Sequence, residues 1–270
     1  MINLRLAGAL LCLSLSASAD TVINDGHIHY NDDVWADLAP EHAIGLLDDN
    51  NINRAIVFST PDEGTRKLYR LAPDRIIPFI RPYRVFRDRF SWFNDADILA
   101  YLEKEISTGF YRGFGEFHLF KKNKDTPILR QMMQLVADHD LVVNAHADAE
   151  TIESLISMQP EVVMIWAHCG MDHPVDDVRR MMDQYPSLHC DLSFRDKLTD
   201  PQSVLTPAWK RLLEDYPQRF MTGMDTYIPR RWAHLPEIKD YADTWLGQLN
   251  PEAARLIGGG NIDRLFPLNN

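Results

Sequence analysis

His27 and His29, in the run Ile23-Asn24-Asp25-Gly26-His27-Ile28-His29, are the first residues of this chain whose type and spacing can do chemistry. On an extended strand alternate side chains share a face, so two imidazoles two residues apart can converge on one ion. By itself the pair reads equally well as two polar residues satisfied in a core. Four later apolar runs shift the balance, because each ends in residues able to hold a metal: Gly113 to His118, Val142 to His146, Val163 to His168 and Phe220 to Asp225. Imidazole nitrogens and carboxylate oxygens together suit a divalent ion, zinc before others. A buried strand should be continuously apolar, so Asn144 and His146 near the end of theirs need partners. An ion satisfies His146, a hydrogen bond to a neighbouring strand being the plain alternative. Asp225 can ligate an ion and also take a proton from water beside it; otherwise it caps the helix that follows.

These residues need elements that bring them together. Runs of strand length at 22–29, 54–59, 76–81, 113–118, 141–146, 162–168, 188–192 and 219–224 alternate with helix-patterned segments. Thr126-Pro127 and Thr206-Pro207 mark two helix starts. Such alternation predicts parallel strands joined by crossover helices. Eight units predict an α/β protein closed into a (β/α)8 TIM barrel, whose strand ends meet at one rim. A doubly wound open sheet fits the alternation but not the recurrence of ligand-type residues at strand ends. Along Gly113 to His118, alternation predicts Phe114, Glu116 and His118 on one face. Leu265-Phe266-Pro267 reads as a helix end before a short tail.

Residues 1–19 read as a secretory signal peptide: Arg5, an apolar stretch from Leu6 to Leu15, then the small-residue site Ser16-Ala17-Ser18-Ala19. The stretch is short for a membrane span. Residues 20–270 then form one domain, exported to the periplasm or secreted, with no membrane association after cleavage. Cys169 and Cys190, the two cysteines left after Cys12, are expected as buried thiols rather than a disulfide framework. A net charge of −11 without any basic run excludes a nucleic-acid backbone as partner and leaves a small molecule as the substrate. Arg81 and Arg84 flank Tyr83 just after the third strand, and Arg230-Arg231-Trp232 follows the eighth. A guanidinium near a metal suits a substrate carboxylate, with Arg81 the first candidate and His118 a second substrate contact. Trp92, Phe93 and Trp232 are candidate pocket walls. The oligomeric state has no signature here.

In order and spacing, His27-x-His29, His146, His168 and Asp225 resemble the amidohydrolase superfamily, over essentially the whole mature chain. Ala167-His168-Cys169-Gly170 resembles the strand-six motif of the amidohydrolase-related group that includes carboxy-lyases of the aminocarboxymuconate-semialdehyde type. Gly259-Gly260-Asn261-Ile262-Asp263-Arg264-Leu265-Phe266 resembles that group's closing Gly-Asn-x-x-Arg-Leu-Phe helix. Gly115-Glu116-Phe117 is similar to the strand-four Gly-Glu of TatD-type hydrolases, where the glutamate binds metal. The resemblance implies one or two ions held by His27, His29, Glu116, His146, His168 and Asp225. Glu116 would bridge two ions or orient a ligand histidine. His168 would bind a second ion or face substrate and move protons, and Asp225 would be the general base. The activity implied is hydrolysis of a lactone, ester or amide of a small, carboxylate-bearing substrate. The alternative is a non-oxidative decarboxylase on the same scaffold. A barrel that has lost catalysis is disfavoured because no ligand position is ruined, and a TatD-type nuclease because the chain is acidic.

Overall fold

Val, Ile and Phe fill the runs that become strands, and the segments between them wind into helices with one apolar face. The computed structural model describes residues 21–119, 121–195 and 197–268; the expected leader lies outside the described residues. The strands are β1 (Ile23–Ile28), β2 (Ile52–Val57), β3 (Ile76–Ile80), β4 (Gly113–Leu119), β5 (Val142–Ala147), β6 (Met164–Trp166), β7 (Leu188–Asp191) and β8 (Phe220–Met221). The crossover helices are α1 (Pro40–Asp49), α2 (Glu63–Leu71), α3 (Ala96–Ile106), α4 (Pro127–Asp138), α5 (Ala149–Met158), α6 (Val175–Gln184) and α7 (Pro207–Asp215). After β8 come α8 (Pro229–Ala233), α9 (Leu235–Leu246), α10 (Pro251–Arg255), a π-helical turn over Leu256–Gly260, and α11 (Asn261–Leu265). Asp95, Thr126 and Asp148 cap α3, α4 and α5 by accepting backbone N–H groups.

Neighbouring strands pair in parallel and in sequential order from β1 to β8. The two edges meet where Gly26 N–H donates to the Thr222 carbonyl (2.8 Å) and Asp225 N–H to the His27 carbonyl (2.6 Å). This is the expected TIM barrel. Most of the core lies between the strands and the surrounding helices. A smaller cluster fills the lumen, with Ile56, Phe58, Phe79 and Ile165 against Ile262 and Phe266. Phe266, at the end of α11 as expected, therefore also plugs the barrel. Above it runs a column of rings: Phe266 to Phe79 at 5.7 Å, Phe79 to Phe58 at 5.9 Å, then Phe58 to His27 at 4.8 Å and His29 at 4.9 Å.

Three expectations are corrected. Alternation fails along β4: the register shifts between Phe114 and Phe117, and these two rings pack together at 5.0 Å in the outer core. Gly115, at φ +132°, lies so close to the Asn144 carbonyl oxygen that a Cβ there would sit 2.1 Å from it. The irregularity separates Phe114 from Glu116 and His118, which face the site. Second, β6 stops at Trp166 and β8 at Met221, so His168 and Asp225 stand on the turns after their strands, at φ +54° and +48°. Left-handed backbone costs about 1–2 kcal/mol at a non-glycine residue, a strain typical of functional sites. Third, Cys169 and Cys190 are not separate thiols. Parallel pairing sets Trp166 opposite Cys190, and Cys169 three residues on is disulfide-bonded to it with a Cα–Cα distance of 4.9 Å.

A Cβ on Gly26 would lie 2.8 Å from both Met221 Sδ and the Thr222 carbonyl oxygen. Gly26→Ala is expected to destabilise the protein by about 1–3 kcal/mol, as overpacking does; an unchanged denaturation midpoint would mean that the seam between β1 and β8 is slack. On β7, burial together with Arg219 and Arg264 pushes the His189 imidazole down to about 4. An unfolded histidine takes its proton near pH 6.5, so folding stability is full above that pH and is lost as pH falls toward 4, by roughly 3 kcal/mol. His189→Asn is expected to flatten this part of the urea stability–pH curve; a parallel curve would sink the assignment.

Candidate metal centre

The rim where the strands end gathers every ligand candidate. His27 Nε2 and His29 Nε2 lie 3.1 Å apart, and Asp225 Oδ1 lies 3.5 Å from the first and 3.4 Å from the second. Glu116 sits between two sets of histidines. Its Oε2 is 3.3 Å from His29 Nε2 and 3.8 Å from His27 Nε2, while Oε1 is 3.0 Å from His146 Nδ1 and 3.5 Å from His168 Nε2. All but His146 are buried.

The other ring nitrogens show which atoms face inward as lone pairs. A carbonyl only accepts, so His29 Nδ1 at 2.8 Å from the Phe58 carbonyl must carry its hydrogen. His168 Nδ1 likewise donates toward Ser193, 2.9 Å from its hydroxyl and 3.1 Å from its carbonyl. His27 Nδ1 donates to Asp191 Oδ2 at 3.1 Å. In the neutral rings each Nε2 then presents a lone pair to the same small space. Such a set of lone pairs and carboxylates repels itself unless a positive charge sits among them. The buried oxygen Asp225 Oδ1 has no hydrogen-bond partner among the described residues, another acceptor left for a cation. The donor set, nitrogen and carboxylate with orienting partners behind His27, His29 and His168, fits a divalent metal.

The electrostatics agree. Burial disfavours a proton on His27, yet Asp191 and Asp225 outweigh it and raise the imidazole well above its usual value. His168 is raised too, Glu116 and Asp191 overcoming burial. Burial pushes Asp225 up, but His27, His29 and His168 hold it down at about 2. Glu116, against the same burial, is held well below the carboxylate range by the surrounding histidines. The centre therefore draws positive charge.

Of the expected substrate contacts, Arg81 lines the cavity and also holds Glu116, donating from Nε to its carbonyl at 2.8 Å and lying 3.5 Å from its carboxylate. His118 stacks on His146 at 4.3 Å, and burial lowers its imidazole to about 3, so it is a neutral wall of the cavity. Arg84 pairs with Asp88 and Asp95. Trp92 and Trp232 are buried; their indoles donate to the carbonyls of His118 (3.0 Å) and His29 (2.9 Å), buttressing the site from behind. Arg231 donates to the Asp225 carbonyl at 2.6 Å.

Sequence reasoning missed two carboxylates. Asp191, fully buried on β7, orients His27 and accepts the His168 N–H at 3.3 Å. Asp25 Oδ1 accepts from the N–H groups of His27 (2.9 Å) and Met224 (3.0 Å), tying β1 to the turn that carries Asp225. A carboxylate inside an apolar strand is the signal that both offered.

A cavity of about 260 Å³ opens above the centre, its floor formed by His29, Glu116, His168 and Asp225. Arg89, Phe86, Phe194 and Tyr227 stand at its mouth, the three aromatic residues exposed.

Comparison with known proteins places this centre in a lineage. No curated protein matches the chain in sequence. Among solved structures, a putative 2-pyrone-4,6-dicarboxylic acid hydrolase from Pseudomonas putida superposes with a TM-score of 0.63 at 14% identity, covering 92% of this chain and 98% of the other. A probable 2-pyrone-4,6-dicarboxylic acid hydrolase from Acinetobacter baumannii gives 0.56 at 15%, covering 91% and 99%. A TatD homologue from Escherichia coli gives 0.62 at 12%, covering 93% and 100%. At such identities the likeness shows the shared barrel. The amidohydrolase family profile, by contrast, matches residues 21–268, and the chain thus belongs to the amidohydrolase family, as a metal-dependent hydrolase.

Proposed function

We propose that this protein hydrolyses a lactone, ester or amide of a small anionic substrate, at a centre where two zinc ions would be held with Glu116 shared between them. The observation that carries the reading is the position of Glu116, each of whose oxygens faces a different set of histidines. His27, His29 and Asp225 would hold one ion, and His146 with His168 the other. The ions supply Lewis acidity, lowering the pKa of water and polarising a carbonyl. Asp225, ionised at neutral pH, takes the proton of the attacking water and returns it to the leaving oxygen or nitrogen. Arg81 keeps Glu116 fixed. A bridging Glu116 favours hydrolysis over the decarboxylase alternative.

Arg89 recognises the anionic group. Its guanidinium stands 4.1 Å from the Phe86 ring centroid and 4.5 Å from that of Phe90, and among the described residues it pairs with no carboxylate. Both neighbours named for 2-pyrone-4,6-dicarboxylic acid are described as hydrolases of a lactone bearing carboxylates, chemistry that this mouth would accept. The disulfide supports an exported location, since such bonds persist in oxidising compartments.

Metal analysis of the mature protein is expected to give two zinc ions per chain, falling to one or none in Glu116→Gln and in His146→Ala, with folding retained. One ion in the wild type would sink the bridge, and none the whole metal reading. On a panel of carboxylate-bearing lactones and aryl esters, Arg89→Met is expected to raise KM by roughly tenfold or more with kcat little changed, the loss of one charged hydrogen bond. A fall in kcat at constant KM would move Arg89 from substrate recognition into the catalytic step.

A further inference from the structure

The disulfide lies against the metal centre on both of its flanks. Cys169 directly follows His168, and Cys190 directly precedes Asp191. Asp191 Oδ2 in turn accepts the His168 N–H at 3.3 Å and the His27 Nδ1–H at 3.1 Å. A short closed circuit results: His168, Cys169, the S–S bond, Cys190, Asp191 and back to His168. Two ligand histidines hang on this one covalent link.

The backbone within the circuit needs holding. Residues 168 to 171 all have positive φ: His168 +54°, Cys169 +49°, Gly170 +74° and Met171 +56°. Only one of the four is a glycine, so the turn is disfavoured locally and persists because its surroundings impose it. Trp166 Nε1–H to the Ala147 carbonyl (2.7 Å) and Met171 N–H to the His168 carbonyl (2.9 Å) contribute. Neither ties the turn to β7. The His168 N–H to Asp191 hydrogen bond and the disulfide do, the disulfide alone covalently, and both sulfur-bearing residues are fully buried.

We infer that the Cys169–Cys190 disulfide is a positioning device for the metal centre, holding His168 directly and His27 through Asp191. The inference rests on the metal reading given above. Opening the bond takes two electrons and two protons from a dithiol, which becomes a cyclic disulfide while Cys169 and Cys190 become thiols. The turn from His168 to Met171 then loses its covalent tie to β7. Metal affinity falls because ligands held only loosely by their surroundings bind metal less well.

The test uses the full mature chain, purified oxidised and freed of metal. Mass spectrometry after alkylation in denaturant is expected to find no free thiol; two alkylated cysteines would overturn the inference at once. Zinc affinity is then measured by competition with a chromophoric chelator for three forms: oxidised, reduced by dithiothreitol that is afterwards removed anaerobically, and the double variant Cys169→Ser with Cys190→Ser. Reduced protein and double variant are expected to bind zinc roughly ten- to a hundredfold more weakly, with circular dichroism showing the barrel intact. Reoxidation should restore the affinity of the wild type and leave the double variant unchanged. Should the double variant fail to fold, the reversible change in the wild type decides. Equal affinity in oxidised and reduced protein overturns the positioning role while leaving the metal site in place; absence of zinc binding in every form removes the metal reading and this inference with it.

Discussion

Four carboxylates, Asp25, Glu116, Asp191 and Asp225, are buried at one end of this barrel, and the rest of the site depends on how their charge is met. An uncompensated buried carboxylate costs several kcal/mol. Arg81, 3.5 Å from Glu116, and Arg231, bound to the Asp225 carbonyl, are permanent cations beside the cluster; the histidines against it carry charge only when protonated. The cluster therefore stores an electrostatic demand that two protons or a metal can answer. Asp25 meets it differently: burial raises its carboxyl to about 7 while two backbone N–H groups and His27 oppose the rise. It is the one carboxylate of the four that burial dominates.

The scaffold answers with rigidity, applied where regular structure runs out. Strands β6 and β8 are short, three and two residues, and the candidate ligands beyond them, His168 and Asp225, stand in left-handed turns. Apart from the Asp225 N–H to His27 carbonyl bond, the β1–β8 seam does little for these turns, and other bonds hold them. Asp25 and Arg231 clamp the turn carrying Asp225, while Asp191 and the disulfide clamp the one carrying His168. From below, the column of Phe266, Phe79 and Phe58 supports His27 on β1 and His29 just past its end. The lumen is thus a packed pedestal, and precision at the rim comes from the contacts beneath it.

The parallel barrel, the order of its strands and the six converging metal-ligand candidates were legible in the sequence, because hydrophobic period and ligand-type residues at strand ends are local signals. What escaped was non-local. The shift in β4 depends on Gly115 meeting the Asn144 backbone, a contact between strands 29 residues apart that no alternation pattern encodes. Cys169 and Cys190 were read as separate because pairing depends on the parallel register of β6 and β7, which brings Trp166 opposite Cys190. The bond from Arg81 to Glu116 was not legible because a guanidinium's partner cannot be read from its neighbours in sequence. Trp92 and Trp232 read as pocket walls for a similar reason: only folding reveals that each indole is anchored on a backbone carbonyl.

The division of labour around the rim follows from the same physics. Groups that must hold charge in place come from β1, β4, β5 and the turns after β6 and β8, each fixed by a buried partner. Groups at the mouth come from longer connections: Phe86 and Arg89 from the segment between β3 and α3, Phe194 from the one between β7 and α7, and Tyr227 from that between β8 and α8. There Arg89 lies over Phe86, and Arg231 lies 3.9 Å from the Phe194 ring centroid, so two of the exposed rings are steadied by cations. A mouth made of ring faces and a guanidinium grips a flat anion well and a neutral alkyl chain poorly. Because these residues sit on connections outside the strand ends, they can change without disturbing the metal ligands. On the proposed reading, reaction type and substrate choice would be set by different parts of the chain: buried, interlocked residues the first, and exposed loop residues the second.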